Sequence, residues 1–267
     1  MLSSQAVTLW KRVGGWLAKR AIPALDHDPE RRAALRATPL SEAQHRVLER
    51  FFAPYRGLAR AERVRLVGEL QVFAGEKEFV GDGLEIDDRV RLVVAASAAL
   101  LVLGHDISVF DHVIKVRVRR DPFDEELGAG RELAGRYRAA THPLLGRTGE
   151  VELIWRAVVA GLARSEGEHV VLHELAHAFD HGLDLLQAHP ERARWEAALH
   201  ELPLHTVETD TARLTQLVSD VTGAELFAVA TELFFEVPHR LAGLAPSLFE
   251  ELRAIYNLDP RTFAARP

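Results

Sequence analysis

Two histidines and a glutamate stand close together in the otherwise mostly apolar stretch VVLHELAHAFDH, residues 170 to 181. On a helix, residues four apart lie about 40° apart around the axis, so His173 and His177 project from one face, one turn apart. Two imidazoles placed in this way can bind one metal ion, and the H-E-x-x-H spacing is typical of zinc. Glu174 then lies where its carboxylate can reach a water molecule on the metal, which predicts a general base.

A catalytic zinc ion needs a third protein ligand as well as an open coordination position. A longer histidine motif would need glycine three residues and histidine six residues after His177, and Asp180 and Leu183 exclude it. The later segment GAELFAVATELFFEV offers three carboxylates, Glu225, Glu232 and Glu236. Glu225 and Glu232 are seven apart and share a helix face, which suits one ligand and one carboxylate that orients a histidine. Spacing favours Glu225 as the ligand because it is nearer to the preceding loop, and it leaves Glu232 open.

Composition limits the partners of this site. The 267 residues include no cysteine, so any metal must be held by nitrogen and oxygen ligands. A net charge of −6 at pH 7 gives no overall attraction to phosphate backbones, so nucleic acid is not expected as a partner. The longest apolar run, LVVAASAALLVL, is too short to span a bilayer, and basic residues interrupt the amino-terminal apolar stretch. A cytoplasmic protein with no transmembrane segment is therefore predicted.

The elements around these motifs predict an α+β fold, a mostly helical single unit around a small mixed sheet. Helices are expected in PLSEAQHRVLERFFAPY, where Ser41 and Gln44 have capping-box spacing, in RAERVRLVGELQVFAGE, and at 90–103. Strands are expected in HVIKVRVRR, around RELAGRYRAA, and in VELIW. We expect residues 1–38 to be loosely attached and residues 39–262 to form the domain.

The two chemical motifs together carry a resemblance. VVLHELAHAFD followed by AELFAVATELFFEVP is similar to the Mlc titration factor A family, a group of bacterial zinc peptidases. The likeness keeps the same order over roughly residues 40 to 260, through FVGDGLEIDDRVRLVVAASAALLVLG, GEVELIW and LFEELRAIYNLDP. Members of this family are gluzincins with a catalytic core similar to that of anthrax lethal factor. The resemblance therefore implies a zincin-like metallopeptidase core.

The resemblance also implies roles for individual residues. It places three zinc ligands and the catalytic glutamate on His173, His177, Glu225 and Glu174, in that order. It aligns Asp180 and Glu232 with further carboxylates of the two motifs. One departure is Val218, which stands where the family usually has a tyrosine that helps to stabilise the tetrahedral intermediate. Losing one such donor commonly costs about 10²- to 10³-fold in rate, so either His205 or Tyr137 substitutes or the hydrolase is weaker or differently specific.

Two functions follow as hypotheses. The first is a zinc-dependent peptidase that hydrolyses a peptide or protein by a metal-activated water, with one Zn²⁺ ion and with endopeptidase, exopeptidase or aminopeptidase action open. An exposed strand, with VELIW as the candidate, is expected to pair with the peptide.

The alternative is a regulatory binding protein that sequesters a transcriptional repressor and keeps zinc mainly for structure; the resemblance implies it, since the family's namesake sequesters a repressor of sugar uptake. Of the other histidines, we expect His181 past the site, and five at the surface or in loops, His169, His189, His200, His205 and His239.

Overall fold

The computed structural model describes residues 27–120, 134–142, 146–164, 169–185 and 223–263. The helices in these ranges are α1 (Pro29–Arg36), α2 (Glu42–Phe51), α3 (Ala53–Gly57), α4 (Arg60–Glu76), α5 (Asp88–Leu101), α6 (Trp155–Arg164), α7 (Val170–Leu183), α8 (Gly223–Glu236), α9 (Pro238–Leu244) and α10 (Pro246–Tyr256). The strands are β1 (Glu78–Asp82), β2 (Val113–Arg119), β3 (Gly135–His142) and β4 (Gly146–Ile154). The predicted α+β class, mostly helical around a small mixed sheet, is confirmed.

The described strands form one sheet in the order β1-β2-β4-β3. β1, β2 and β4 are parallel, and β3 is antiparallel to β4. Within the described sheet β1 and β3 form the two edges. β4 lies between β2 and β3 and contains the first four residues of VELIW, and Trp155 begins α6. The expectation that VELIW pairs with a peptide is wrong, because both of its edges are already hydrogen-bonded and Val151 and Leu153 are fully buried.

The longest apolar run of the sequence forms most of α5, which begins two residues before and ends two residues before the predicted range of 90–103. Its residues from Val90 to Leu101 are buried except Arg91. The small residues in its second half allow α7 to pack closely against it. α7 also contacts β3, β4 and α8, so it is enclosed by helices and sheet. His169 caps its first turn by accepting a hydrogen bond from the Leu172 amide, and Asp184 ends it in the left-handed conformation. The motif helix is therefore held by the core on most of its sides.

Local signals at the helix ends have the predicted effect. Ser41 and Gln44 form the reciprocal hydrogen bonds of a capping box at the start of α2. Residues 29–36, within the segment predicted to be loosely attached, form α1, which contacts α4 through Arg32 and Glu76. The boundary at residue 38 stays a prediction. No helix among the described residues is both long enough and apolar enough to cross a membrane.

Candidate metal centre

Three predicted ligands converge where α7 meets α8. His173 and His177 project from one face of α7, with ring centroids 5.0 Å apart. Glu225, in the first turn of α8, places one carboxylate oxygen 3.2 Å from His173 Nε2 and the other 3.2 Å from His177 Nε2. One ligand atom from each residue lies within 4.8 Å of the other two. Two imidazole nitrogens and a carboxylate oxygen at this spacing suit a transition-metal ion, and zinc in particular.

Glu232 lies two turns after Glu225 on α8 and contacts the other nitrogen of the same imidazole. Its Oε1 is 2.8 Å from His173 Nδ1, and the side chain is almost fully buried. A carboxylate that accepts the Nδ1 proton fixes the tautomer and leaves Nε2 free to bind a metal. The two glutamates that sequence spacing left as alternatives therefore occupy opposite sides of His173, with Glu225 on the side shared with His177.

Glu174 is buried beside the edge strand. A Cβ atom at Gly135 would lie 2.8 Å from both Cγ and Oε1 of Glu174, so β3 approaches this carboxylate closely only because residue 135 has no side chain. Burial raises the pKa of Glu174, although His173 and His177 oppose the change. A raised pKa makes a carboxylate a stronger base.

The charges around His173 favour a cation. Burial by itself would lower the pKa of His173, but Glu225 and Glu232 outweigh it and raise the pKa well above its ordinary value. Conversely, hydrogen bonds from His173 and His177 lower the pKa of Glu225. Within the described residues, Glu225 forms ion pairs only with these two histidines. The donor set thus carries an excess of negative charge that a divalent metal ion would neutralise.

A cavity of about 640 Å³ opens beside these residues. The metal cluster, Glu174 and the β3 residues line it, together with Asp180 and His181. The expectation that His181 lies past the site is wrong, because the helix carries its ring to the end of the same cavity. His169 is also not at the surface: it is buried because it caps α7. Sequence reasoning missed His181 because that residue is rotated about 80° around the helix from His173, and missed His169 because it lies before the motif.

Some of the other predicted site residues lie within the described part of the chain, and others lie outside it. Tyr137 lines the cavity from β3, and its hydroxyl lies 2.6 Å from His181 Nδ1. Glu236, near the end of α8, is not part of the described metal cluster. The remaining candidates lie outside the described residues, namely Val218, His189, His200 and His205. The question of what stands in place of the family tyrosine therefore turns on Tyr137 within the described part of the chain.

A motif helix with two histidines, a carboxylate from a later helix, and a mixed sheet with an antiparallel edge strand define a metallopeptidase type of centre. The model of the glucose-regulated metallo-peptidase M90 family matches residues 27–257, and the chain belongs to this family. Membership implies a bound metal ion and a protein or peptide substrate, and the predicted family resemblance is confirmed.

Relatives cover most of the chain at low identity. The protein slr2042 of Synechocystis sp. is 28% identical over 222 residues, which are 77% of this chain and 80% of that protein. Mlc titration factor A of Escherichia fergusonii is 28% identical over 218 residues, 76% of this chain and 82% of the relative. Mlc titration factor A of Cronobacter sakazakii is 26% identical over 220 residues, with 76% and 82% covered.

Proposed function

We propose that the protein is a zinc-dependent peptidase in which His173, His177 and Glu225 hold the ion. The observation that carries this proposal is the convergence of those three side chains with buried Glu174 in one cavity beside a sheet edge. The absence of cysteine and the imidazole-rich donor set favour zinc over metals that prefer thiolate or all-oxygen ligands. When bound, zinc supplies Lewis-acid chemistry, polarising a carbonyl oxygen and lowering the pKa of a water molecule.

Glu174 is the general base of this proposal. Its carboxylate takes a proton from the attacking water and passes it to the leaving amine. Burial raises the pKa of Glu174, which makes its carboxylate a stronger base toward the attacking water. Glu232 keeps the His173 ring oriented through the 2.8 Å hydrogen bond.

The edge strand β3 is the proposed binding site for the peptide backbone. It pairs with β4 on one side, and its residues from Arg138 to His142 are exposed. An extended peptide can add to such an edge through main-chain hydrogen bonds. Gly135 sets the distance between this edge and Glu174, so a peptide that pairs with β3 would lie close to the base.

The test combines metal analysis with an activity assay. We expect one zinc per chain in both wild type and Glu174→Gln, and hydrolysis of an unstructured peptide to fall by about 10²- to 10⁴-fold in the variant. Glu69→Gln is the matched control, because Glu69 is also buried but pairs with Arg36 on α1, away from the cavity. Equal activity of Glu174→Gln and wild type at full zinc content would remove Glu174 as the base. Free and amino-acetylated forms of one peptide test aminopeptidase action, which needs a free terminal amine.

We also propose, as a second candidate, that the protein binds a transcriptional regulator. The support is that two relatives that cover about three quarters of this chain are named for titrating Mlc. Val218, which replaces a hydrogen-bond donor of the family, favours reduced catalysis in this candidate. A partner that co-purifies in the presence of a chelator would support binding as the main role, and loss of that partner on chelation would oppose it. This role also requires the cytoplasmic location that the sequence predicts.

A further inference from the structure

Tyr137 lines the cavity at a position where a neighbouring glycine leaves room for its ring. It lies on the same face of β3 as Gly135 and Ala139, and all three line the cavity that contains His173 and Glu174. Its ring extends across Gly149 of β4, where a Cβ atom would lie 2.6 Å from the Tyr137 hydroxyl oxygen. The hydroxyl therefore reaches its position only because residue 149 has no side chain.

Arg147 determines which nitrogen of His181 carries the proton. Its Nε lies 3.0 Å from His181 Nε2, and since a guanidinium nitrogen can only donate, Nε2 must accept. The same guanidinium donates to the His181 carbonyl oxygen and pairs with Asp184 at 2.8 Å, which holds it in this orientation. Burial, followed by the charge of Arg147, lowers the pKa of His181, so the ring is neutral. The single ring proton is therefore on Nδ1.

This tautomer leaves the proton of the Tyr137 hydroxyl unused. His181 Nδ1 lies 2.6 Å from the hydroxyl oxygen and, because it carries the proton, it donates that hydrogen bond. Burial raises the pKa of Tyr137, so the phenol stays protonated. Its O–H group is then a hydrogen-bond donor without a partner among the described residues, at the wall of the cavity.

We propose that Tyr137 donates this hydrogen bond to a carbonyl oxygen of the bound peptide, and that Arg147 and His181 are positioning residues that direct it. The proposal rests on the peptidase function proposed above. It assigns a substrate contact to a tyrosine of the edge strand and explains why Arg147, His181 and Asp184 form a network at the end of α7. The chain Arg147 to His181 to Tyr137 runs in one direction, each group donating to the next.

Two variants of His181, to Asn and to Asp, have nearly the same shape as each other. They differ in whether residue 181 can donate a hydrogen bond to the Tyr137 hydroxyl. In His181→Asn, the amide nitrogen takes the position of Nδ1 and can still donate to Tyr137. In His181→Asp, the carboxylate accepts from the Tyr137 hydroxyl and takes its proton away from the substrate. We expect His181→Asp and Tyr137→Phe each to lower kcat/KM by about tenfold, the contribution of roughly one hydrogen bond, at unchanged zinc content. His181→Asn should stay within about twofold of wild type.

The controls make each outcome decisive. Tyr55→Phe removes another hydroxyl that lies 2.6 Å from a histidine Nδ1, that of His45, away from the cavity, and it should leave kcat/KM unchanged. The double variant Tyr137→Phe, His181→Asp should lose no more than either single variant. Nitrogen NMR of zinc-loaded protein, with the His181 signals identified by their loss in His181→Asn, should show protonated Nδ1 and unprotonated Nε2.

Protonated Nε2, or an active Tyr137→Phe variant equal to wild type, would overturn the role of Tyr137 and leave the peptidase assignment intact. A zinc-loaded wild type that hydrolyses no peptide would instead overturn both proposals together.

Discussion

Two clusters in the described part of this protein each consist of three histidine and carboxylate side chains, but they differ in the source of positive charge. His173, His177 and Glu225 form one cluster, and the other consists of His27, Glu76 and Asp111. In the second cluster the Arg32 guanidinium lies 2.7 and 2.8 Å from the Glu76 oxygens and 2.5 Å from an Asp111 oxygen. A second cation, Lys77, has its Nζ 3.8 Å from a Glu76 carboxylate oxygen.

The difference shows how a metal site can be distinguished from a cluster of similar residues that already pairs with a cation of the chain. In the cluster around Glu76, the chain supplies its own cation, and a metal ion would have to displace Arg32 against the repulsion of Lys77. Around Glu225, the positive charge contributed by the described residues comes only from histidines, which become neutral donors when they bind a metal. The cluster around Glu76 attaches α1 to α4, and the cluster around Glu225 leaves its donors available to an ion. The clusters should therefore respond oppositely to substitution.

The largest expected effect is on stability, from Glu76→Gln. Removing the charge of Glu76 leaves Arg32 with Asp111 as its one remaining carboxylate partner among the described residues, which should lower the free energy of unfolding by up to about 3–5 kcal/mol. Chemical denaturation measures this change. Glu78→Gln, two residues on in an exposed pair with Lys115, should change stability by less than about 1 kcal/mol. A zinc content that falls in folded Glu76→Gln would contradict the separation of the two clusters.

Glu225→Gln should act on the metal instead of on the fold. Since the carboxylate contacts the other two ligands directly, its loss should weaken zinc binding by more than the roughly 100-fold expected for a supporting residue. Competition with a zinc chelator measures the affinity. Glu236→Gln, on the same helix but outside the described cluster, should bind zinc as wild type does. Unchanged affinity in Glu225→Gln would remove it from the ligand set.

Substitutions of Glu232 should give smaller, graded losses. Gln retains an oxygen that accepts the His173 Nδ1 proton, so Glu232→Gln should weaken zinc binding by about tenfold. Glu232→Leu retains no acceptor and should approach about 100-fold. The same competition assay compares them. Equal losses in the two variants would show that charge, rather than orientation of His173, is what Glu232 supplies.

The pH dependence of stability should sharpen the comparison at the cluster around Glu76. Burial opposes ionisation of Glu76, but hydrogen bonds from Arg32 and His27 outweigh it and lower its pKa to about 2. A lowered carboxyl pKa contributes stability above the unfolded value of 4.5, and that stability is lost as pH falls toward 2. The slope for this one group is at most about 1.4 kcal/mol per pH unit. Wild type should show it in denaturation between pH 4.5 and 2, and Glu76→Gln should show a shallower one.

Local patterns predicted the helices and strands because their signals lie within a few residues of one another. The capping box of Ser41 and Gln44, the alternating valines of β2 and the largely apolar α5 each have the predicted conformation. The spacing of His173 and His177 likewise required only helical geometry. Strand order could not be inferred in the same way, because pairing partners are distant in sequence, and VELIW was therefore mistaken for an edge.

By itself the sequence determined that two imidazoles would share one helix face, that no thiolate could join them, and that a later helix would offer carboxylates on one face. Those properties follow from residue identity and helical period. Only the tertiary structure decided which carboxylate meets which nitrogen, with Glu225 at Nε2 and Glu232 at Nδ1 of His173. It also decided that His181 would meet Tyr137 and Arg147. These contacts depend on how α7 packs against α8 and β3, and spacing along the chain does not fix the packing of distant segments.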